Sequence, residues 1–203
     1  IAAGLEAAHR LGVVHRDLKA ENVMVAADGR VKILDFGLVK SIDPDAEEES
    51  LTHEGVVMGT SRAMSPEQAR GSPLDPRSDL FALGSLLYEL ISGVHPFQDA
   101  TPLDTMHRVV EHHPRPLAAR DPRVPKDVSE LVSRLLEKER ERRPPSAAEV
   151  ADELGELVAR LEAGPLVPAI REAAAPWPSA LPRNLMVAAV LAAALLLVVL
   201  LLR

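Results

Sequence analysis

His15-Arg16-Asp17-Leu18-Lys19-Ala20-Glu21-Asn22, followed thirteen residues after Asn22 by Asp35-Phe36-Gly37, is the stretch on which the reading of this chain turns. Between the two, Val23, Val25, Val31 and Ile33 alternate with their neighbours around Ala27-Asp28-Gly29, which predicts a small hairpin. Such a hairpin would fold Asn22 and Asp35 back toward each other. An Asn and an Asp suit Mg²⁺, which takes a few protein oxygens and completes its shell with phosphate and water. Phosphoryl transfer asks for a carboxylate beside the attacking hydroxyl, cations over the moving charge, and oxygen ligands for that metal. Asp17, Lys19, Asn22 and Asp35 supply that set.

Outward from this stretch the chain reads as mostly helical. Ile1, Leu5, Ala8 and Leu11 stand at helical spacing and Gly12 closes the run, so residues 1–13 read as the end of an amphipathic helix. Beyond the hairpin, Asp35 to Glu67 lacks periodicity and carries the acidic run 43–49, which reads as a solvated loop. Leu80 to Ile91 predicts a buried central helix, and further helices are expected near Pro102–His112 and Lys126–Lys138. Ser146-Ala147-Ala148-Glu149 has the pattern of a capping box. It opens a last helix whose inward face would be Val150, Leu154, Leu157, Val158 and Leu161.

The C-terminal part changes character. Residues 163–184 are rich in Pro and Ala, with Pro165, Pro168, Pro176, Pro178 and Pro182 preventing a continuous helix, and they read as a semi-rigid juxtamembrane linker. Residues 185–202 are 18 consecutive apolar residues between Arg183 and Arg203, and predict a single transmembrane helix of about 27 Å. Arg183 and Arg171 mark the cytoplasmic side by the positive-inside rule, with Arg203 as a contrary vote. Localisation is thus expected at the cell membrane. A net charge of −7 argues against a nucleic-acid partner, and the absence of cysteine excludes a disulfide framework. His107, His112 and His113 lack the Cys or carboxylate company of a metal site.

The H-R-D-L-K-x-x-N and D-F-G pair resembles the catalytic and metal-binding loops of eukaryotic-like bacterial Ser/Thr protein kinases. The resemblance implies Asp17 as the base that takes the substrate hydroxyl proton and Lys19 near the transferred phosphate. Asn22 and Asp35 are implied as Mg²⁺ ligands, with Lys19, Asn22 and Asp35 together binding the ATP phosphates. Gly59-Thr60 and Met64-Ser65-Pro66-Glu67-Gln68-Ala69-Arg70-Gly71 look like the end of an activation segment. Ser78-Asp79-Leu80-Phe81-Ala82-Leu83-Gly84 resembles the start of the central helix, where the family's Asp, here Asp79, braces the catalytic loop. Arg143-Pro144 resembles the late arginine that pairs with the segment-end Glu, here Glu67. Arg16 would receive a phosphate from the activation loop; Thr52 falls at the position autophosphorylated in bacterial relatives, and Glu54 would act as a fixed negative charge.

The likeness covers residues 1–162 and implies the C-terminal lobe of the kinase fold: mainly α with a small β-hairpin, ahead of the transmembrane helix. It implies ATP and Mg²⁺ as cofactors, proteins bearing Ser or Thr and the lipid bilayer as partners, and kinase–kinase dimers for autophosphorylation. Ala20 stands where the family has Pro, and Ser61 and Ala63 where it has Pro and Tyr, which bears on peptide preference. The family's Gly-rich loop, Val-Ala-x-Lys strand and partner Glu helix do not occur in these 203 residues, so the chain is read as a fragment preceded by an N-lobe and inactive alone. Two alternatives are a non-catalytic kinase-like scaffold and a small-molecule phosphotransferase. Intact Asp17, Asn22 and Asp35 weigh against the first; the Met-Ser-Pro-Glu segment end and the D-F-G weigh against the second.

Overall fold

The computed structural model describes residues 1–36 and 64–162. Within them run α1 (Ala2–His9), β1 (Val23–Val25), β2 (Val31–Ile33), α2 (Pro66–Ala69), α3 (Pro76–Ser92), α4 (Pro102–Glu111), α5 (Leu117–Arg120), α6 (Lys126–Leu135) and α7 (Ala147–Glu162). Short 3₁₀ turns occupy Ala20–Asn22 and Arg140–Arg142. The described structure is therefore mainly helical with a two-stranded antiparallel sheet, as the sequence predicts.

The hairpin forms in the expected register, Val23 opposite Ile33, Met24 opposite Lys32 and Val25 opposite Val31. Gly29 takes φ 80° in its turn, a conformation open to glycine because it has no Cβ. At the open end the Leu34 N–H donates to the Asn22 carbonyl at 2.8 Å, so the strands deliver Asn22 and Asp35 to the same edge.

Helix α3 is the axis of the fold. Asp75 caps it by accepting from the Arg77 N–H at 2.8 Å, Pro76 fills the first position where no N–H is needed, and Gly93 stops it at φ 73°. One side of α3 meets α1, α6 and α7 through Leu5, Leu18, Leu80, Leu83, Leu131, Leu135 and Val150. Its other side presents Phe81 and Tyr88 to Phe97, Val109, Leu117 and Val132. Phe81 stacks on Phe97 with centroids 5.5 Å apart. Each fully buried Leu or Phe of this kind contributes about 1.5–3 kcal/mol. The edge that carries Asn22 and Asp35 is thus mounted on a packed helical body.

Two expectations of helical facing are corrected. Leu11 is 81% exposed, because α1 ends at His9 and the chain tightens into i→i−3 bonds from Leu11 and Gly12, which takes Leu11 off the helical stripe. Val158 and Leu161 are also exposed: α7 packs against α1 along a narrow stripe that contains Val150, Leu154 and Leu157. The Ser146 cap is present, its hydroxyl accepting from the Glu149 N–H at 3.2 Å. Among the described residues no helix is long and apolar enough to cross a membrane; the span expected at 185–202 and the linker before it lie outside them.

Candidate active site

Past Gly12 the chain dives inward, and His15 is fully buried. Its ring meets the edge of Phe36 at 4.8 Å between centroids, Nε2 donates to the Leu34 carbonyl at 3.0 Å, and Nδ1 accepts from the Asp17 N–H at 3.3 Å. Those two contacts require the Nε2–H tautomer. Histidine here is a peg that joins the loop to the segment running from β2 to Asp35.

Arg16 lies in the left-handed region at φ 70°, a conformation that costs a non-glycine residue about 1 kcal/mol or more. Asp79, at the start of α3 and 1% exposed, holds it there. Its Oδ1 accepts from the Arg16 N–H at 2.9 Å and its Oδ2 from the His15 N–H at 2.7 Å. Charge-assisted bonds of this sort are worth roughly twice neutral ones, enough to offset the strain. His9 on α1 reaches Asp79 Oδ2 at 2.8 Å from behind. From α2, Gln68 Nε2 donates to the Arg16 carbonyl at 2.7 Å.

The turn so held presents Asp17. Lys19 Nζ sits 2.6 Å from Asp17 Oδ2, and Asn22 Nδ2 donates to the Asp17 carbonyl at 2.8 Å and to Oδ2 at 3.2 Å. Asp17 Oδ1 is buried and accepts no hydrogen bond among the described residues. Because Nδ2 of Asn22 is committed to Asp17, its Oδ1 is the amide atom left to coordinate a cation. Asp35 is exposed at φ 50°, two residues beyond β2. An amide oxygen and a carboxylate on one edge fit a hard cation that keeps water and phosphate in its shell. Beside Lys19 a groove runs between Leu18–Glu21 and α3, with Glu89 and His95 on its lining.

A second polar cluster lies under α2. Arg143 meets Glu67 bidentately, with N–O distances of 2.8 and 2.9 Å, and Ser78 Oγ donates to Glu67 Oε1 at 2.6 Å. The remaining guanidinium donors reach the carbonyls of Arg77, Glu137 and Lys138. Burial would raise the Glu67 carboxyl, but the hydrogen bonds from Arg143 and Ser78 and the Arg143 charge outweigh it and hold the group at about 2. Nearby, Lys138 is buried with Nζ 4.1 Å from the Phe97 ring centroid and 2.7 Å from the Val109 carbonyl. Burial, then the charges of Arg143 and Arg70, push it down to about 7.

The structure therefore brings Asp17, Lys19 and Asn22 into one hydrogen-bonded group and sets Asp35 at the same edge, with Arg16 and Asp79 directly behind. Glu67 and Arg143 form their own pair, joined to that group through Gln68, the next residue along α2. Thr52, Glu54, Thr60 and Gly37 lie outside the described residues. Sequence reading missed His9, Gln68, Ser78 and Lys138. Only Gln68 carried a readable signal: Ser65-Pro66-Glu67-Gln68 is a capping-box pattern, and both halves of that box are made.

Residues 1–154 match the family described as Protein kinase domain. The Ser/Thr-protein kinase pkn2 of Myxococcus xanthus is 41% identical over 168 residues, which cover 80% of this chain and 20% of that protein. The Ser/Thr-protein kinase PknB of Mycobacterium leprae and that of Mycobacterium tuberculosis are each 37% identical over 150 residues, covering 74% of this chain and 24% of theirs. The chain spans about a fifth to a quarter of the length of these relatives.

Proposed function

The chain belongs to the protein kinase family, among its eukaryotic-like bacterial Ser/Thr members, and on that premise we propose that it carries the phosphoryl-transfer residues of a membrane-anchored Ser/Thr protein kinase. The observation that carries the reading is the hydrogen-bonded group of Asp17, Lys19 and Asn22 on the edge that also holds Asp35. Asp17, whose side chain is partly exposed beside Lys19, is the carboxylate to accept the proton of a Ser or Thr hydroxyl. The substrate oxygen then attacks the γ-phosphorus of ATP as the bond to the β-phosphate oxygen breaks, and ADP leaves. Lys19, tethered beside Asp17, would bring its positive charge to the oxygens of the moving phosphoryl group. Asn22 and Asp35 would hold Mg²⁺, which neutralises charge on the phosphates when bound. The groove beside Lys19 gives the acceptor polypeptide a surface to lie along.

The remaining elements belong to the same reading. Residues 185–202 anchor the enzyme in the cell membrane with residues 1–162 on the cytoplasmic side, and 163–184 link the two. A second copy phosphorylates Thr52, and Arg16 receives that phosphate.

The test is transfer of labelled γ-phosphate from ATP to a protein acceptor by the complete gene product. The reading predicts phosphoserine and phosphothreonine, loss of transfer on chelating the divalent metal, and label on Thr52 itself. Phosphotyrosine alone, or transfer unaffected by chelation, would contradict it.

A further inference from the structure

Arg16 is held from two directions, and the partners differ in what they control. Asp79 grips the N–H groups of His15 and Arg16, on the N-terminal side of the strained residue. The peptide unit that joins Arg16 to Asp17 carries the Arg16 carbonyl, and its partner is Gln68 Nε2 at 2.7 Å. A left-handed residue persists only where its surroundings over-determine it. Rotation of that peptide unit would swing the Asp17 Cα, and with it the carboxylate.

Gln68 is suited to this post by having an acceptor and a donor on one amide. Its Oε1 accepts from the Ser65 N–H at 2.9 Å, and its own N–H donates to Ser65 Oγ at 3.3 Å, which completes the cap of α2. The amide orientation is fixed by its two contacts: oxygen must face the Ser65 N–H, and nitrogen the Arg16 carbonyl. Gln68 also follows Glu67, which Arg143 anchors. The bond to Arg16 therefore leads from a fixed point of the helical body to the residue before Asp17.

We infer that Gln68 is a positioning residue for Asp17: its amide holds the Arg16 carbonyl and so ties α2 to the catalytic turn, an assignment that rests on the phosphoryl-transfer reading. Glutamate is the discriminating substitution. Gln68→Glu keeps an acceptor for the Ser65 N–H, and so keeps the helix cap, but an ionised carboxylate cannot donate to a carbonyl and repels it. Protonating that carboxylate restores a donor.

The experiment compares wild type and Q68E in the complete gene product, with ATP and myelin basic protein as a generic acceptor. At pH 7.5 the expected result is a kcat lower by about 10- to 100-fold with KM for ATP held within about twofold, the signature of a displaced reacting group. The thermal midpoint should stay within about 2 °C of wild type, as a retained cap implies. The kcat ratio of Q68E to wild type should rise at least about threefold between about pH 8 and about pH 5.5, as the carboxyl takes up a proton. Amide hydrogen exchange at Arg16 and Asp17 should be faster in Q68E, with exchange in α6 unchanged. Wild-type kcat in Q68E, a kcat loss matched by a fall in thermal midpoint, a flat pH ratio, or unchanged exchange at Asp17 would each overturn the assignment. Absence of transfer by wild type would count against the phosphoryl-transfer reading, while the exchange comparison would still decide the role of Gln68.

Discussion

At the scale of single residues, the site depends on a backbone conformation that a bulky residue does not favour. Arg16 at φ 70° is stable because Asp79 turns both carboxylate oxygens to the two N–H groups that this turn leaves buried. Asp79→Asn would keep one acceptor and set an amide donor against the other N–H. We expect it to lower unfolding free energy by about 2–3 kcal/mol, from one unsatisfied buried donor plus the lost charge assistance, and to reduce kcat through Asp17; denaturant unfolding and steady-state kinetics measure the two. A variant with wild-type stability would mean that the turn does not need the clamp. The residue types of this site were legible in the sequence, since Asp17, Lys19, Asn22 and Asp35 fall on two short motifs. The brace from Asp79 was expected from resemblance, but the left-handed arginine and the Gln68 contact were not: nothing local to His15-Arg16-Asp17 announces that conformation, and Gln68 is 52 residues away.

Among the elements, α2 is too short to stand by itself and is held by its side chains. Arg143, 3% exposed, brings its guanidinium to Glu67, 4% exposed, and shares the remaining donors among three carbonyls. Removing one member leaves a buried charge without its partner, so Arg143→Met is expected to cost about 3–5 kcal/mol in denaturant unfolding. The pair also sets an acid limit. Glu67 sits at about 2 when folded against an ordinary value of 4.5, so its contribution is fully present above pH 4.5 and is lost as pH falls toward 2. Glu67→Gln should remove that part of the acid dependence; a wild-type acid profile in the variant would show that the carboxylate is not the group responsible. The Glu67–Arg143 pairing was expected from resemblance, whereas Ser78 and Gln68 on either side of it were not. Helix facing failed where the pattern alone was followed: Leu11 keeps the spacing but α1 stops short of it, and Val158 keeps the spacing but lies off the stripe that meets α1.

Across the whole molecule, α3 divides two apolar clusters, and Lys138 spans the second by resting on Phe97 and reaching the Val109 carbonyl near the end of α4. A lysine buried there is held at about 7 when folded and returns to 10.5 when unfolded. Between those values the unfolded chain binds the extra proton, so this residue makes stability rise with pH across that interval. Lys138→Met, of similar length and uncharged, should abolish that rise in unfolding free energy measured from pH 7 to pH 10; an unchanged slope would assign the effect to other groups. The architecture was readable because apolar spacing and capping signals are local: the hairpin, α3 and the start of α7 all stand where the pattern placed them. Two polar joints, Asp79 to the turn and Arg143 to Glu67, were expected from resemblance and are made; those that escaped, such as His9 to Asp79, depend on packing that brings together residues 70 apart. Together these joints hold Asp17 where we propose that it accepts the proton in a phosphoryl transfer. Asp17→Asn in the complete protein, scored by γ-phosphate incorporated into a Ser/Thr acceptor, tests it most directly. A proton acceptor at Asp17 means a kcat lower by about 10²- to 10⁴-fold in the variant with the thermal midpoint preserved; incorporation at the wild-type rate would rule that role out.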